Sequence, residues 1–121
     1  MKKIDLKVKD RNISFWFGLG FLGELLDNQK LSVEDIFEKL QSNPFKIVPV
    51  MMYESAKYGF TREGKEIDFN LFELTDWISE EGIGSNNKIT EGFLFAFNDS
   101  MTKNVPESKD ESKKGVDVKK K

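Results

Sequence analysis

Strict alternation of apolar and polar residues marks the first 17 residues of this chain, and the apolar spacing then becomes helical. The stretches KIDLKVKD and NISFWF each place an apolar side chain at every second position, which is typical of half-buried strands. Between them, Asp10 and Asn12 suit a tight reversal. The sequence therefore predicts an antiparallel hairpin with one apolar face, formed by Ile4, Leu6, Val8, Ile13, Phe15 and Phe17.

The stretch FGLGFLGELL at 17–26 places Gly18, Gly20 and Gly23 in the G-x-G-x-x-G spacing of a dinucleotide-binding turn. That fold needs a preceding strand buried on both faces and a second parallel strand after the helix. Here the preceding strand alternates and further helices follow. We therefore interpret the glycines as a hinge between hairpin and helix, and we expect all three to pack against protein. A nucleotide-binding protein that uses them is the less favoured alternative.

The first two helices are predicted from the positions of their apolar residues. The first runs from about 17 to 28, with a buried arc of Phe17, Leu19, Phe21, Leu22, Leu25 and Leu26. The second has Ser32 as its N-cap and acidic residues in its first turn, which favours a helix start there. Its buried stripe is expected to contain Ile36, Phe37 and Leu40.

The third helix is predicted to lie at the centre of the fold. Asn43 and Pro44 form a typical helix start, and Gly59 is predicted to end the helix. The helix is apolar on most of its circumference, so other elements are expected to cover it. Its narrow solvent-facing side is marked by Lys46, Glu54 and Lys57.

Two further helices complete the predicted domain. Asn70 and Glu73 form a capping-box pattern for the fourth helix, and Gly82 is expected to terminate that segment. The fifth helix is predicted from about 88 to 103, with Phe95 on the face opposite to its buried stripe. That stripe has a four-residue spacing and contains Ile89, Phe93, Phe97 and Met101.

These elements predict an α+β, mainly α fold: an N-terminal antiparallel hairpin followed by about five packed helices in one domain at 1–104. Residues 105–121 contain no aromatic residue and carry six lysines against four acidic residues. Such a segment cannot bury enough apolar surface to order itself. We therefore predict a disordered charged tail at 105–121.

The amino-acid composition limits the catalytic and metal-binding sites that the chain could form. The chain contains no Cys and no His, which removes thiol nucleophiles, disulfides, imidazole bases and most zinc sites. Its acidic pairs lie in helix-capping or solvated positions, and no serine is framed by a nucleophile motif. We expect no enzyme, no catalytic residue, no cofactor and no metal. With two Arg, a net charge of -2 and no bilayer-length apolar run, we expect a soluble intracellular protein without a nucleic-acid or membrane partner.

Three aromatic residues lie outside the predicted core stripes. They are Trp16 in the second strand, Phe60 after the predicted end of the third helix, and Phe95 in the fifth helix. Large aromatic side chains are frequent anchors of protein interfaces. We therefore take Trp16, Phe60 and Phe95 as candidate partner-binding residues.

The order of these parts resembles that of the tail assembly chaperones of long-tailed bacteriophages. The resemblance covers about residues 2–103. Three stretches carry it: FGLGFLGELL at the junction of strand and helix, the Asn43-Pro44 opening of the central helix, and ELTDWISE at 73–80.

The resemblance implies a small, mainly helical protein that binds the tape measure protein. Such chaperones keep that long apolar chain soluble and help to recruit tail tube subunits. They act in the cytoplasm of the host bacterium and are not retained in the mature virion. Self-association is compatible with this role. A non-phage helical adaptor or regulator is the alternative class of function.

Overall fold

A computed structural model describes residues 2–83 and 87–104, the last two without their side chains. It confirms the predicted fold class, an antiparallel hairpin followed by five helices. The predicted tail at 105–121 lies outside the described residues, as does part of the predicted loop before the last helix. The elements are β1 (Lys3–Val8), β2 (Arg11–Trp16), α1 (Leu19–Gln29), α2 (Val33–Ser42), α3 (Pro44–Arg62), α4 (Leu71–Ser79) and α5 (Lys88–Asn104).

The register of the hairpin confirms its predicted apolar face. Ile4 pairs with Phe15 and Leu6 pairs with Ile13, so these side chains point to the same side of the sheet. The reversal occupies Lys9 and Asp10, whose φ angles are 53° and 64°. Positive φ at both central residues is typical of the two-residue turn that matches the twist of a hairpin.

Five phenylalanine rings join the hairpin to α1 and α5. Phe15 lies edge-on to Phe93 with 5.7 Å between ring centroids, and Phe17 approaches Phe93 to 5.4 Å. Tilted and edge-on arrangements at these separations are favourable beyond the area that they bury. The rings that form this aromatic cluster, all buried, are Phe15, Phe17, Phe21, Phe93 and Phe97.

Two residues predicted in buried stripes are more exposed than expected. Leu19 is almost fully exposed, although Phe21 in the same first turn of α1 is buried, so the side chain of Leu19 lies on the solvent side of this turn. Phe37 lies at the edge of the buried stripe of α2. Its ring is 6.3 Å from that of Phe97 but remains partly open to solvent.

Helix α3 lies at the centre of the fold, as predicted, and contacts β2, α1, α2 and α4. The prediction that Glu54 faces solvent is wrong, since this residue is only 5% exposed. The side-chain amides of Asn28 and Gln29 donate hydrogen bonds of 2.9 and 3.2 Å to its carboxylate. The end of α1 therefore supplies the polar partners that allow a buried charge at this position.

The predicted helix end at Gly59 is also wrong, because α3 continues to Arg62. Gly59 is instead a point of close approach between β2 and α3. A β-carbon at this position would lie 2.5 Å from Cδ1 of Trp16 and 3.3 Å from the carbonyl oxygen of Ser14. One turn earlier, the Ser55 hydroxyl donates a 2.8 Å hydrogen bond to the Trp16 carbonyl oxygen, which fixes the strand against the helix.

The predicted starts of α2 and α4 are confirmed. Ser32 with Asp35, and Asn70 with Glu73, form reciprocal capping boxes, whereas the side chain of Asn43 makes no capping hydrogen bond to α3. The hydrogen bond from the Ser32 backbone N–H is the main cause that lowers the pKa of Asp35. The full stabilisation from this cap is therefore present at pH values above the pKa that Asp35 has in the unfolded chain. It is lost as the pH falls through the lower pKa that Asp35 has in the fold.

Two glycine-to-alanine changes test the close approach at Gly59. Gly59→Ala is expected to lower the free energy of unfolding by about 1–3 kcal/mol, because a methyl group there overlaps Trp16 and the backbone of β2. The matched control is Gly23→Ala in α1, where a β-carbon meets nothing within 4 Å. This change should raise the free energy of unfolding by up to about 1 kcal/mol.

Urea denaturation followed by circular dichroism measures both variants. Equal effects of the two substitutions would contradict the role assigned to Gly59.

Candidate partner-binding groove

The three glycines at 18, 20 and 23, which have the spacing of a dinucleotide-binding turn, have separate structural roles. Gly18 has a φ of 108° and turns the chain from β2 into α1. Gly20 allows the hydroxyl of Tyr58 to approach the helix, whereas Gly23 has open space where a side chain would be. Gly18 is half-buried, and Gly20 contacts Tyr58 although it stays exposed; the expectation of packing is wrong for Gly23, which is exposed and faces open space. The described strands pair antiparallel, without the parallel crossover of a dinucleotide-binding fold, so the geometry does not favour that alternative.

Trp16 is half-buried between two cations. The Arg62 guanidinium lies 4.3 Å from the ring centroid and the Lys3 ammonium lies 5.8 Å from it, both within the range of a cation–π interaction. Its indole Nε1 is buried and has no hydrogen-bond partner among the described residues. This candidate anchor is therefore engaged with its own chain on the side of the hairpin that faces away from the aromatic cluster.

Phe60 belongs to a second group of rings. It lies edge-on to Phe69 at 5.9 Å, and Phe69 in turn lies 5.3 Å from Trp77. The Arg11 guanidinium covers Phe69 at 5.0 Å and forms a 2.7 Å ion pair with Asp68. The hydrogen bond from Arg11 lowers the pKa of the Asp68 carboxyl. Phe60 is half-buried in this group, so its environment is that of a peripheral core residue.

Phe95 differs from the other two candidates because this residue is 69% exposed. It follows Leu94 and lies one helical turn after Glu91, and both of these residues line an open groove. The three candidates therefore occupy three different environments, and Phe95 alone of them adjoins this groove.

The groove lies between α3, α4 and α5 and has a volume of about 480 Å³. Helix α3 contributes its first turns, α4 its last turns and α5 its first turns. Most of the surface is apolar. The lining residues are Pro44, Phe45, Val48, Pro49, Thr75, Ile78, Ser79, Gly82, Ile83, Asn87, Thr90, Glu91 and Leu94.

Four large apolar side chains around the groove are exposed to solvent. Phe45 and Ile83 line it and are 71% and 74% exposed. Phe72 is 78% exposed and lies one turn before the lining residue Thr75, and Phe95 adjoins Leu94 at the other side. An apolar depression with exposed aromatic residues at its edge is typical of an interaction site.

Sequence reasoning found one of these four residues. A signal for Phe72 is present in the helical wheel, because this residue falls about 100° away from Leu71 and outside the buried stripe of α4. Phe45, beside the helix start, and Ile83, in a predicted loop, give no such signal. Their exposure depends on where the three helices lie relative to one another.

The buried side chain of Asn87 joins α4 to α5 beneath the groove. Its amide nitrogen donates to the carbonyl oxygens of Ile78 and Gly82 at 2.9 and 2.6 Å, and its amide oxygen accepts from the backbone N–H groups of Ile89 and Thr90. The Asn87 side chain thus provides a donor for carbonyl groups at and just after the end of α4, and it caps the start of α5. The sequence places Asn87 in a loop and does not predict this role.

The hydroxyl groups that line the groove are turned towards the backbone. Thr75 donates to the Leu71 carbonyl, Ser79 donates to the Thr75 carbonyl and Thr90 donates to the Asn87 carbonyl. Their donors are therefore already used. Among the described residues that line the groove, Glu91 is the only charged one.

No three acidic side chains in the described part of the chain are grouped as metal ligands would be. In the same residues, no helix has both the length and the apolar character needed to cross a bilayer.

Comparisons of the chain with protein-family models, with curated protein sequences and with solved structures gave no match.

Loss of the Asn87 side chain is expected to separate α4 from α5. Asn87→Ala should lower the free energy of unfolding by about 2–3 kcal/mol, because it leaves buried carbonyl and N–H groups without partners. Asn98→Ala, at an exposed position of the same helix, should change it by no more than about 0.5 kcal/mol. Thermal and urea unfolding measure both variants, and similar losses in the two would disprove the role of Asn87.

Proposed function

We propose that this chain is a tail assembly chaperone of a long-tailed bacteriophage and that it binds the tape measure protein through the groove between α3, α4 and α5. The observation that carries the proposal is the apolar groove with Phe45, Phe72, Ile83 and Phe95 exposed around it. The resemblance over residues 2–103 supplies the biological role, and the groove supplies a surface suited to it.

The physical basis of the proposed role is the burial of apolar surface on both partners. A helical chain with an unpaired apolar stripe aggregates unless another protein covers that stripe. The exposed aromatic rings would be the anchors, since a few large side chains dominate the binding energy of most interfaces. Each ring transferred from water contributes about 25 cal/mol for every Å² of apolar area that it buries.

The biological setting follows from the same resemblance. The protein would act in the cytoplasm of the host bacterium, hold the tape measure protein soluble while tail tube subunits are recruited, and leave before the virion is complete. Gene order tests this setting directly. A tail assembly chaperone gene should lie between the genes for the tail tube and the tape measure protein.

A non-phage helical adaptor is the second candidate, because the same groove would serve any partner with an apolar helix. A gene neighbourhood without tail genes would favour the adaptor. Both candidates predict that binding depends on the groove, so gene order and partner identity distinguish them.

Removal of two exposed rings tests the proposed binding surface. Phe45→Ser combined with Phe95→Ser should weaken binding to the tape measure protein by at least about tenfold and should leave the fold stable, because both rings are exposed. Co-expression with fragments of the neighbouring tape measure gene, followed by co-purification and titration calorimetry, measures the effect. The unmodified chain should raise the soluble yield of a bound fragment.

Leu19→Ser is the matched control for the ring substitutions. Leu19 is also a large exposed apolar residue, and its neighbour Gly20 meets Tyr58 rather than the groove. Tyr58 lies about 20 Å along α3 from Phe45 at the usual helical rise. Equal binding by all variants, or failure of every tape measure fragment to bind the unmodified chain, would overturn the proposal.

A further inference from the structure

We infer that the groove accepts one amphipathic α-helix whose apolar stripe is flanked by Lys or Arg, and that the Glu91 carboxylate selects this charge. The inference rests on the proposed function and specifies the partner that the groove favours.

The lining of the groove favours a helix over an extended segment. An extended segment keeps its backbone groups unpaired and needs a strand edge or free donors to satisfy them. The groove is built by three helices, and the hydroxyls of Thr75, Ser79 and Thr90 already donate to backbone carbonyls. A helix satisfies its own backbone and can place apolar side chains against such a surface.

The charge of the groove favours a basic flank on that helix. Glu91 supplies the one charged side chain among the described lining residues. Its described ion pair with Lys88 is long, at 3.8 Å, and both side chains are largely exposed, so the pair competes weakly with a new partner. A docked helix removes water around the carboxylate, and a cation placed beside it then interacts more strongly than in open solvent.

An acidic flank would be selected against for the same reason. A docked carboxylate beside Glu91 would add like-charge repulsion to the cost of removing water from both groups. Apart from the exposed ammonium of Lys88, 3.8 Å from Glu91, the surroundings offer no compensating donor, because the rest of the lining is apolar or internally bonded. Glu91 would therefore distinguish helices that share the same apolar stripe.

Two synthetic peptides provide the probes for this inference. Both have about 18 residues, an alanine background and leucines at helical spacing, and they differ only in carrying Lys or Glu at the positions that flank the stripe. Titration calorimetry with the full chain is expected to give a Kd about tenfold lower for the Lys peptide than for the Glu peptide. The difference should shrink at high salt.

Substitutions at Glu91 assign the selection to this side chain. Glu91→Gln should reduce the preference for the Lys peptide to less than about threefold, and Glu91→Lys should reverse it. The matched control is Glu24→Gln, at an exposed acidic position of α1, which should keep the full preference.

Each other outcome overturns a distinct claim. Binding of both peptides with equal Kd, or a preference that survives Glu91→Gln, disproves charge selection but leaves the proposed groove intact. Failure of both peptides to bind, together with binding of a tape measure fragment that is insensitive to Phe45→Ser and Phe95→Ser, disproves the groove as the site of the proposed function.

Two rival occupants of the groove are tested, one by the same titrations and the other by sedimentation. If replacement of the lysines between 113 and 121 by Gln tightens both peptide affinities severalfold, the groove is assigned to the chain's own basic segment, and the inference is wrong. If sedimentation detects self-association that Phe45→Ser and Phe95→Ser abolish, the groove is assigned to a second copy of the chain, with the same consequence.

Discussion

The apolar face of the hairpin is the constraint on which the rest of the structure depends. A two-stranded sheet is marginal in water and must have its apolar face covered. Phe15 and Phe17 meet Phe93 at 5.7 and 5.4 Å, so α5, the last helix, lies against the first element of the chain. One side of α5 is therefore buried in the core. Its adjoining side, with Leu94 and Phe95, is left for the groove.

The groove then depends on how α4 and α5 are joined. Asn87 is buried and connects the end of α4 to the start of α5 through hydrogen bonds to both. Buried polar groups that are fully paired rigidify a junction, whereas a single missing partner is costly. The hydrogen bonds of Asn87 therefore fix α4 relative to α5 and so help to define the apolar groove between α3, α4 and α5. The exposed rings of Phe45 and Phe72 lie at its edge.

The G-x-G-x-x-G spacing at 18–23 illustrates how local resemblance and tertiary context differ. Gly18 turns the chain and Gly20 admits Tyr58, while Gly23 faces open space. None of these roles requires a phosphate. Gly59 lies outside this spacing, yet it also has a close tertiary contact, because it allows Trp16 to approach α3. The spacing of glycines thus identifies a turn, and the surrounding elements decide what the turn is used for.

The sequence by itself determined the hairpin face, the five helices and the caps at Ser32 and Asn70, because alternation, helical periodicity and capping are local patterns. Tertiary structure alone decided the burial of Glu54, whose amide partners come from another helix. It also decided the groove, because its lining comes from helices far apart in the sequence. Phe95 could be predicted to lie opposite the buried stripe of its helix, but its exposure beside an apolar groove depends on the packing of α3 and α4 against α5.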